Sequence, residues 1–99
     1  MKRGTTPIHE FTVDLDLTNA VVAYVTYKQG STTVLEKTLE DMTITPTKIS
    51  YRLTQKETLK FKSTLPVEIQ IRCRMMDNTA YETDIIIISV DKLLKEGEI

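Results

Sequence analysis

Apolar and polar residues alternate one by one along most of this chain, and this period of two is the feature that most restricts its fold. Successive side chains of a β-strand point to opposite faces, so such alternation predicts strands with one buried face. The clearest case is Val67–Met75, in which every second residue is apolar and the residues between are charged or amide. The pattern therefore predicts an all-β protein.

The same alternation predicts six or seven strands, depending on whether the short segment Met42–Ile44 forms one. The others are His9–Leu15, Ala20–Lys28, Thr32–Leu39, Lys48–Leu53, Val67–Met75 and Ala80–Val90. Gly30 separates the second strand from the third and allows the positive φ of a tight hairpin turn. Pro46 ends the Met42–Ile44 segment because proline has no N–H to donate to a neighbouring strand.

One segment departs from this alternation, because Thr54 is followed three positions later by Glu57. In a capping box, such a threonine accepts a hydrogen bond from the third amide, and the acidic side chain accepts one from the threonine amide. We therefore expect one short helical turn near residues 55–59. Isolated helices of this length do not persist in water, so Leu59 and Phe61 should pack it against the core.

The spacing and number of the strands indicate the fold class. Strands at intervals of about 8–12 residues favour a sandwich or small barrel, and no helix is long enough to connect parallel strands. We predict one antiparallel immunoglobulin-like β-sandwich over residues 1–99, with the helical turn at the corner before Val67–Met75. The length suits one domain. Residues 1–7 and 92–99 are expected to be frayed tails.

Composition limits what the chain can bind. Thirteen Lys and Arg against fourteen Asp and Glu give a net charge of −1, which offers no basic footprint for nucleic acid and no polybasic patch for a membrane. No apolar run approaches the length of a membrane span. The single cysteine, Cys73, excludes an internal disulfide and a zinc site built on several thiolates. We expect neither nucleic acid nor a membrane as a partner.

Few residues are of a kind that performs catalysis. His9 is the only histidine, and its neighbour Glu10 points to the opposite strand face, so no partner for proton transfer is evident. Cys73 lies in phase with isoleucines, which favours a small core residue over a nucleophile. The chain also lacks glycine-rich phosphate loops and nucleophile elbows. We therefore expect no enzymatic activity and no cofactor.

The sequence contains two groupings of charged residues, and the simplest interpretation of both is that they lie on solvent-exposed strand faces. The carboxylate pairs that share a face are Asp14 with Asp16 and Glu82 with Asp84. Calcium takes about six or more oxygen ligands, more than either pair supplies, so no metal is expected. A modest basic surface would form only if the fifth and sixth strands were neighbours. Its members would be Lys48, Arg52, Arg72 and Arg74.

The last strand has more apolar side chains than a sandwich needs, because Ile85–Ile88 places two isoleucines on each of its faces. We expect the odd-numbered pair to face the core, since Tyr81 and Thr83 share its face. The candidate interface residues on the other face are Ile86, Ile88 and Val90. Each buried isoleucine contributes about 1.5–3 kcal/mol, so leaving them in water is costly.

Three arrangements would keep the apolar side chains of that second face out of water. Exposed apolar patches usually mark contacts with other subunits, which predicts self-association or docking through this strand. Alternatively, Leu93 and Leu94 fold back over it. In the third arrangement a β-bulge changes the phase of the strand. The sequence alone leaves all three open.

Several stretches resemble a family of small proteins encoded by phages and prophages of Gram-positive bacteria. They are Met1–Pro7 with His9 and Phe11, Tyr24–Gly30, Leu53–Phe61 and Val67–Arg72. The resemblance covers nearly the full length, and the layout is also similar to the N-terminal immunoglobulin-like domain of phage baseplate upper proteins. These stretches encode turns, a cap and an alternating core, so the resemblance implies a fold and supplies no binding residue.

The resemblance implies a non-enzymatic virion structural or assembly protein, near the tail or baseplate, that acts through protein–protein contacts. Its expected partners are other virion proteins or copies of itself in a homo-oligomer, and its expected location is the virion or the host cytoplasm during assembly. The alternative is a stand-alone module that binds a small ligand or carbohydrate with turns at one end of the sandwich. Few aromatic residues and no Trp count against sugar stacking.

Overall fold

Eight β-strands and two short helical segments make up the computed structural model, which describes residues 1–99. The strands are β1 (Ile8–Thr12), β2 (Ala20–Gln29), β3 (Thr32–Thr38), β4 (Thr43–Ile44), β5 (Lys48–Arg52), β6 (Val67–Met75), β7 (Ala80–Glu82) and β8 (Ile86–Ile88). The helical segments are a 3₁₀ turn, Leu39–Asp41, and one turn of α-helix, α1 (Gln55–Thr58). The all-β prediction is confirmed.

The strands form two antiparallel sheets. Sheet I has the order β1-β5-β4, and sheet II has the order β3-β2-β6, with both β7 and β8 paired to β6. These orders correspond to strands B-E-D and C′-C-F-G of an immunoglobulin-like sandwich, with no strand A beside β1. The predicted antiparallel immunoglobulin-like sandwich is thus confirmed, although the last predicted strand is divided into two.

The core lies between the two sheets, and it follows the alternation in the sequence. Every second residue of β6, from Val67 to Met75, is buried. Ile49, Tyr51 and Leu53 are buried on the inner side of sheet I. These side chains belong to one cluster of 16 buried apolar residues. In β6 the period of two identified the inner face correctly.

The corner between β5 and β6 contains the predicted capping box. The Thr54 hydroxyl accepts a hydrogen bond from the Glu57 amide at 3.1 Å, and the Glu57 carboxylate accepts one from the Thr54 amide at 2.9 Å. Phe61 is buried in the core, as expected, whereas Leu59 is only half-buried. Thr58 is the fully buried residue of the turn, and its hydroxyl donates to the Thr5 carbonyl.

The N-terminal residues pair with the chain that follows β8. The Met1 nitrogen donates to the Ser89 carbonyl at 2.6 Å, and the Asp91 amide donates to the Met1 carbonyl at 2.9 Å. Lys2 continues this contact as a parallel bridge to Asp91. Arg3 donates to the Phe61 carbonyl at 2.7 Å and to the Glu96 carboxylate at 2.6 Å. Nothing in the sequence pattern indicated these contacts.

Candidate functional site

A β-bulge lies between β7 and β8. β7 pairs with β6 so that Glu82 is opposite Arg72, whereas β8 pairs so that Ile86 is opposite Ile69. Three residues of one strand (83–85) therefore face two of the other (70–71), which defines a bulge. Thr83 fills the gap, because its amide donates to the Ile71 carbonyl and its hydroxyl accepts from the Ile71 amide.

The bulge reverses the predicted phase of the four isoleucines. Ile85 and Ile87 are 52% and 67% exposed on the outer face, whereas Ile88 packs against the core and Val90 is 7% exposed. The expectation that the odd-numbered pair faces the core was therefore wrong. Of the three candidate interface residues, only Ile86, at 39%, is an exposed side chain. The bulge, one of the three arrangements considered, explains the change.

The C-terminal residues do not supply the cover that a folded-back tail would give. Leu94 is 90% exposed. Leu93 lies instead near Gly4, where the methyl group of an alanine would come within 3.2 Å of the Leu93 side chain. The exposed apolar surface of this strand, residues 85–88, is called the isoleucine edge below.

A groove runs along the open side of the sandwich, between β1 at the edge of sheet I and β8 at the edge of sheet II. Residues 8–11 line it from sheet I, and Ile69, Ile86 and Ile88 line it from sheet II. Its volume is about 270 Å³. Ile69 belongs to the core, so this groove, called the edge groove below, reaches the interior of the sandwich. It lies where strand A would stand beside β1.

The main chain of β1 is unpaired on the side of the edge groove. In an antiparallel ladder, residues alternate between bonding to the neighbour and pointing away from it. The Leu53 amide donates to the Pro7 carbonyl and the Val13 amide donates to the Thr47 carbonyl, so the odd-numbered residues of β1 bond to β5. The N–H and C=O groups of Ile8, Glu10 and Thr12 therefore point to the open side.

His9 belongs to a hydrogen-bonded group that joins the two sheets. Its Nδ1 lies 2.6 Å from the hydroxyl of Tyr27 in sheet II, and that hydroxyl lies 2.5 Å from the hydroxyl of Tyr51 in sheet I. Sequence reasoning missed this group, because its members are 18 and 24 residues apart.

The electrostatics of this group favour its neutral form. Burial raises the pKa of Tyr27 and of Tyr51 well above the usual range, and the Glu57 carboxylate acts in the same direction. Burial and the positive chain terminus lower the pKa of His9. The three side chains are thus uncharged near neutral pH. Each has a hydrogen-bond partner among the other two, so together they join the sheets without a buried charge.

The remaining sequence candidates are dispersed. β5 and β6 lie in different sheets, so the four basic residues proposed for them do not form one surface. Asp16 accepts hydrogen bonds from Thr18, as in an Asx turn. Cys73 is buried, and burial raises the pKa of its thiol, the opposite of what a nucleophilic thiolate requires.

The structure contains no group of three or more His, Cys, Asp or Glu side chains arranged to hold a metal ion. None of its helices has the length and apolar character needed to cross a membrane. No family model, curated protein or solved structure matches the chain. The isoleucine edge and the edge groove beside it are the surface features that could bind a partner.

Proposed function

We propose that this chain is a non-enzymatic structural or assembly protein of a phage or prophage particle, associated with the tail or baseplate, which acts by binding another virion protein. The observation that carries the proposal is the isoleucine edge, where Ile85 and Ile87 are more than half exposed at the rim of sheet II. The resemblance of the opening, the first hairpin and the corner to small phage proteins supplies the biological setting.

The composition of the isoleucine edge supports a contact surface. Natural proteins protect edge strands with lysine, proline or inward-pointing charges, because an unpaired edge is a template for association. Residues 85–88 contain none of these. Burying one isoleucine contributes about 1.5–3 kcal/mol, so a partner that covered Ile85 and Ile87 would gain several kcal/mol from these two side chains.

The polar groups of the interior support the same proposal. His9, Tyr27 and Tyr51 bond to one another across the sheets, and Lys37 pairs with Glu57 at the corner. These side chains, of types that often perform catalysis, serve here to hold the sandwich together.

Mass spectrometry of purified particles tests the proposal directly. Particles are induced from a lysogen that encodes the chain, and its copy number is measured in complete particles and in assembly intermediates. The proposal predicts the chain in at least one of these fractions at a fixed ratio to tail proteins. Its absence from both would overturn the proposal.

Two matched variants test the surface. Ile87→Lys places a charge on the isoleucine edge, whereas Val21→Lys places one at an exposed apolar residue of β2, away from that edge. Both should melt within a few degrees of the wild type, because both side chains are exposed. We expect Ile87→Lys to lower incorporation at least about tenfold, which corresponds to about 1.4 kcal/mol of lost contact energy. Equal incorporation of the two variants would exclude the isoleucine edge as the contact.

A further inference from the structure

We propose that the edge groove accepts an extended segment of a partner protein, which adds to sheet I as a new strand beside β1. The inference rests on the proposed function and specifies the partner's chemistry. The segment would have apolar side chains at alternate positions, which enter the groove, and polar side chains between them, which stay in solvent beside Glu10 and Thr12.

The main chain of β1 provides the first argument. The N–H and C=O groups of Ile8, Glu10 and Thr12 point to the open side, with no neighbouring strand there. Strand addition uses such groups for affinity and uses pockets for alternate side chains for specificity. β1 has three residues whose N–H and C=O groups point to the open side, and alternate residues of an added strand would bond to them. The added segment would therefore be about five residues long.

The lining of the groove provides the second argument. Ile86 and Ile88 from sheet II and Phe11 from sheet I line the space into which the alternate side chains of an added strand would point. Its volume of about 270 Å³ is many times the space of about 10–15 Å³ that a cavity needs to hold one water molecule, so the groove has room for an aliphatic side chain. A segment bound there would complete the apolar packing between the two sheet edges.

The N-terminal residues explain why the segment adds to β1 and not to β8. Met1 and Lys2 already lie against the chain at Ser89–Asp91, so the edge of sheet II is closed just beyond the isoleucine edge. No part of the chain covers β1 in the same way. Of the two edges, β1 is the one open along its full length.

A second copy of the chain fits the groove poorly. If β1 paired with β1 of another copy, the partner's inward side chains would remain in its own core and leave Ile86 and Ile88 uncovered. Full antiparallel overlap would also place Glu10 opposite Glu10 of the other copy, and like charges directly opposite destabilise a sheet. A free extended segment has neither difficulty, because all its side chains are available.

Amide hydrogen exchange on the full chain tests the inference. The probe is a synthetic peptide of sequence Thr-Val-Thr-Val-Thr-Val-Lys, and the control peptide has proline in place of the second threonine. In an antiparallel pair with β1, the threonines lie opposite Ile8, Glu10 and Thr12, and their N–H groups donate to β1. At a probe concentration ten times its Kd, exchange of the Ile8, Glu10 and Thr12 amides should slow about tenfold. The control peptide should have no such effect, since proline cannot donate to β1. If the peptide binds too weakly in solution, fusing it ahead of Met1 through a flexible glycine-serine linker raises its effective concentration.

Unchanged exchange in both the mixed and the fused forms would overturn the inference. Protection that appears without peptide, rises with protein concentration and accompanies a dimer in sedimentation would overturn it in favour of a second copy. Glu10→Pro removes an N–H that has no partner in the free protein, whereas Glu10→Ala keeps it. We expect both variants to fold and only Glu10→Pro to lose at least about tenfold in peptide affinity.

Particle incorporation separates this inference from the proposed function. If Glu10→Pro enters particles as well as Glu10→Ala while Ile87→Lys does not, the groove is not the site and the proposed function stands. If the wild type is absent from particles but its β1 amides are protected by the peptide, the proposed function fails and strand addition stands.

Discussion

Replacing Glu57 by glutamine tests how the corner of the sandwich is held. The Glu57 carboxylate accepts one hydrogen bond from the Thr54 amide at 2.9 Å and another from the Lys37 ammonium at 2.5 Å. The Lys37 and Glu57 side chains are only 13% and 18% exposed. Lys37 belongs to β3 of sheet II, whereas Glu57 follows β5 of sheet I, so the pair connects the two sheets.

The expected cost follows from this geometry. Glutamine keeps the size of Glu57 and its bond to Thr54, but it removes the carboxylate that accepts a hydrogen bond from the Lys37 ammonium. A hydrogen bond to a charged partner contributes about 1.5–3 kcal/mol, and breaking a fully buried pair costs about 3–5 kcal/mol. Because both side chains keep some exposure, we expect a loss of about 2–3 kcal/mol. That corresponds to a fall in Tm of about 10–20 °C for a domain of this size.

Urea and thermal denaturation followed by far-UV circular dichroism measure this loss. Glu40→Gln is the matched control, because Glu40 is exposed on the nearby 3₁₀ turn, and it should lie within about 0.5 kcal/mol of the wild type. The double variant Lys37→Met/Glu57→Gln should recover part of the loss, since it leaves no unpaired charge. A Glu57→Gln protein as stable as Glu40→Gln would refute the reasoning.

The same pair makes stability depend on pH. Burial acts to raise the pKa of Glu57, but the hydrogen bonds from Lys37 and Thr54 outweigh it, so the net pKa lies below the ordinary value of 4.5. The unfolded chain therefore binds more protons than the folded one in this range. The contribution is complete above pH 4.5 and is lost as pH falls through the folded pKa. The difference between wild type and Glu57→Gln should shrink in that window and stay constant near neutral pH.

Four further predictions concern other contacts. Tyr27→Phe should cost about 2 kcal/mol and Tyr51→Phe about 1 kcal/mol in urea denaturation, because Tyr27 bonds to two partners and Tyr51 to one; equal losses would contradict the order of the group. Thr54→Ala should cost about 1 kcal/mol through loss of the cap, and no change would argue against a capped turn. Ile71→Asp should abolish the cooperative melt, since it buries a lone carboxylate in the core; a melt at the wild-type temperature would contradict the burial. Because the folded pKa of His9 lies below 6.5, stability should fall as pH drops from 6.5 through the folded pKa. His9→Gln should remove that part of the profile.

Local patterns in the sequence were sufficient to predict the sandwich. Val67–Met75 alternates strictly and is buried at every second residue, because a central strand without a bulge keeps one phase from end to end. The corner turn was predictable because Thr54 and Glu57 are three residues apart and contact each other's main chain. Both signals are complete within fewer than ten residues.

The contacts that join distant segments left no such signal. Tyr27 and Tyr51 occupy inward positions of their strands. Their hydrogen bond depends on how two sheets are placed on each other, which no local pattern encodes. The same holds for the pairing of Met1 with Ser89, at a separation of 88 residues.

The bulge before β8 determines where a functional surface can be sought. One extra residue moves every later side chain to the opposite face, so the predicted interface residue Val90 lies in the core and the exposed pair becomes Ile85 and Ile87. A charge at Val90 would unfold the domain, and loss of binding in that variant would be mistaken for loss of an interface. A charge at Ile87 leaves the core intact. The bulge also turns Ile86 and Ile88 toward β1, where they line the edge groove. One extra residue in the strand therefore accounts both for the exposure of Ile85 and Ile87 and for the apolar wall of the groove.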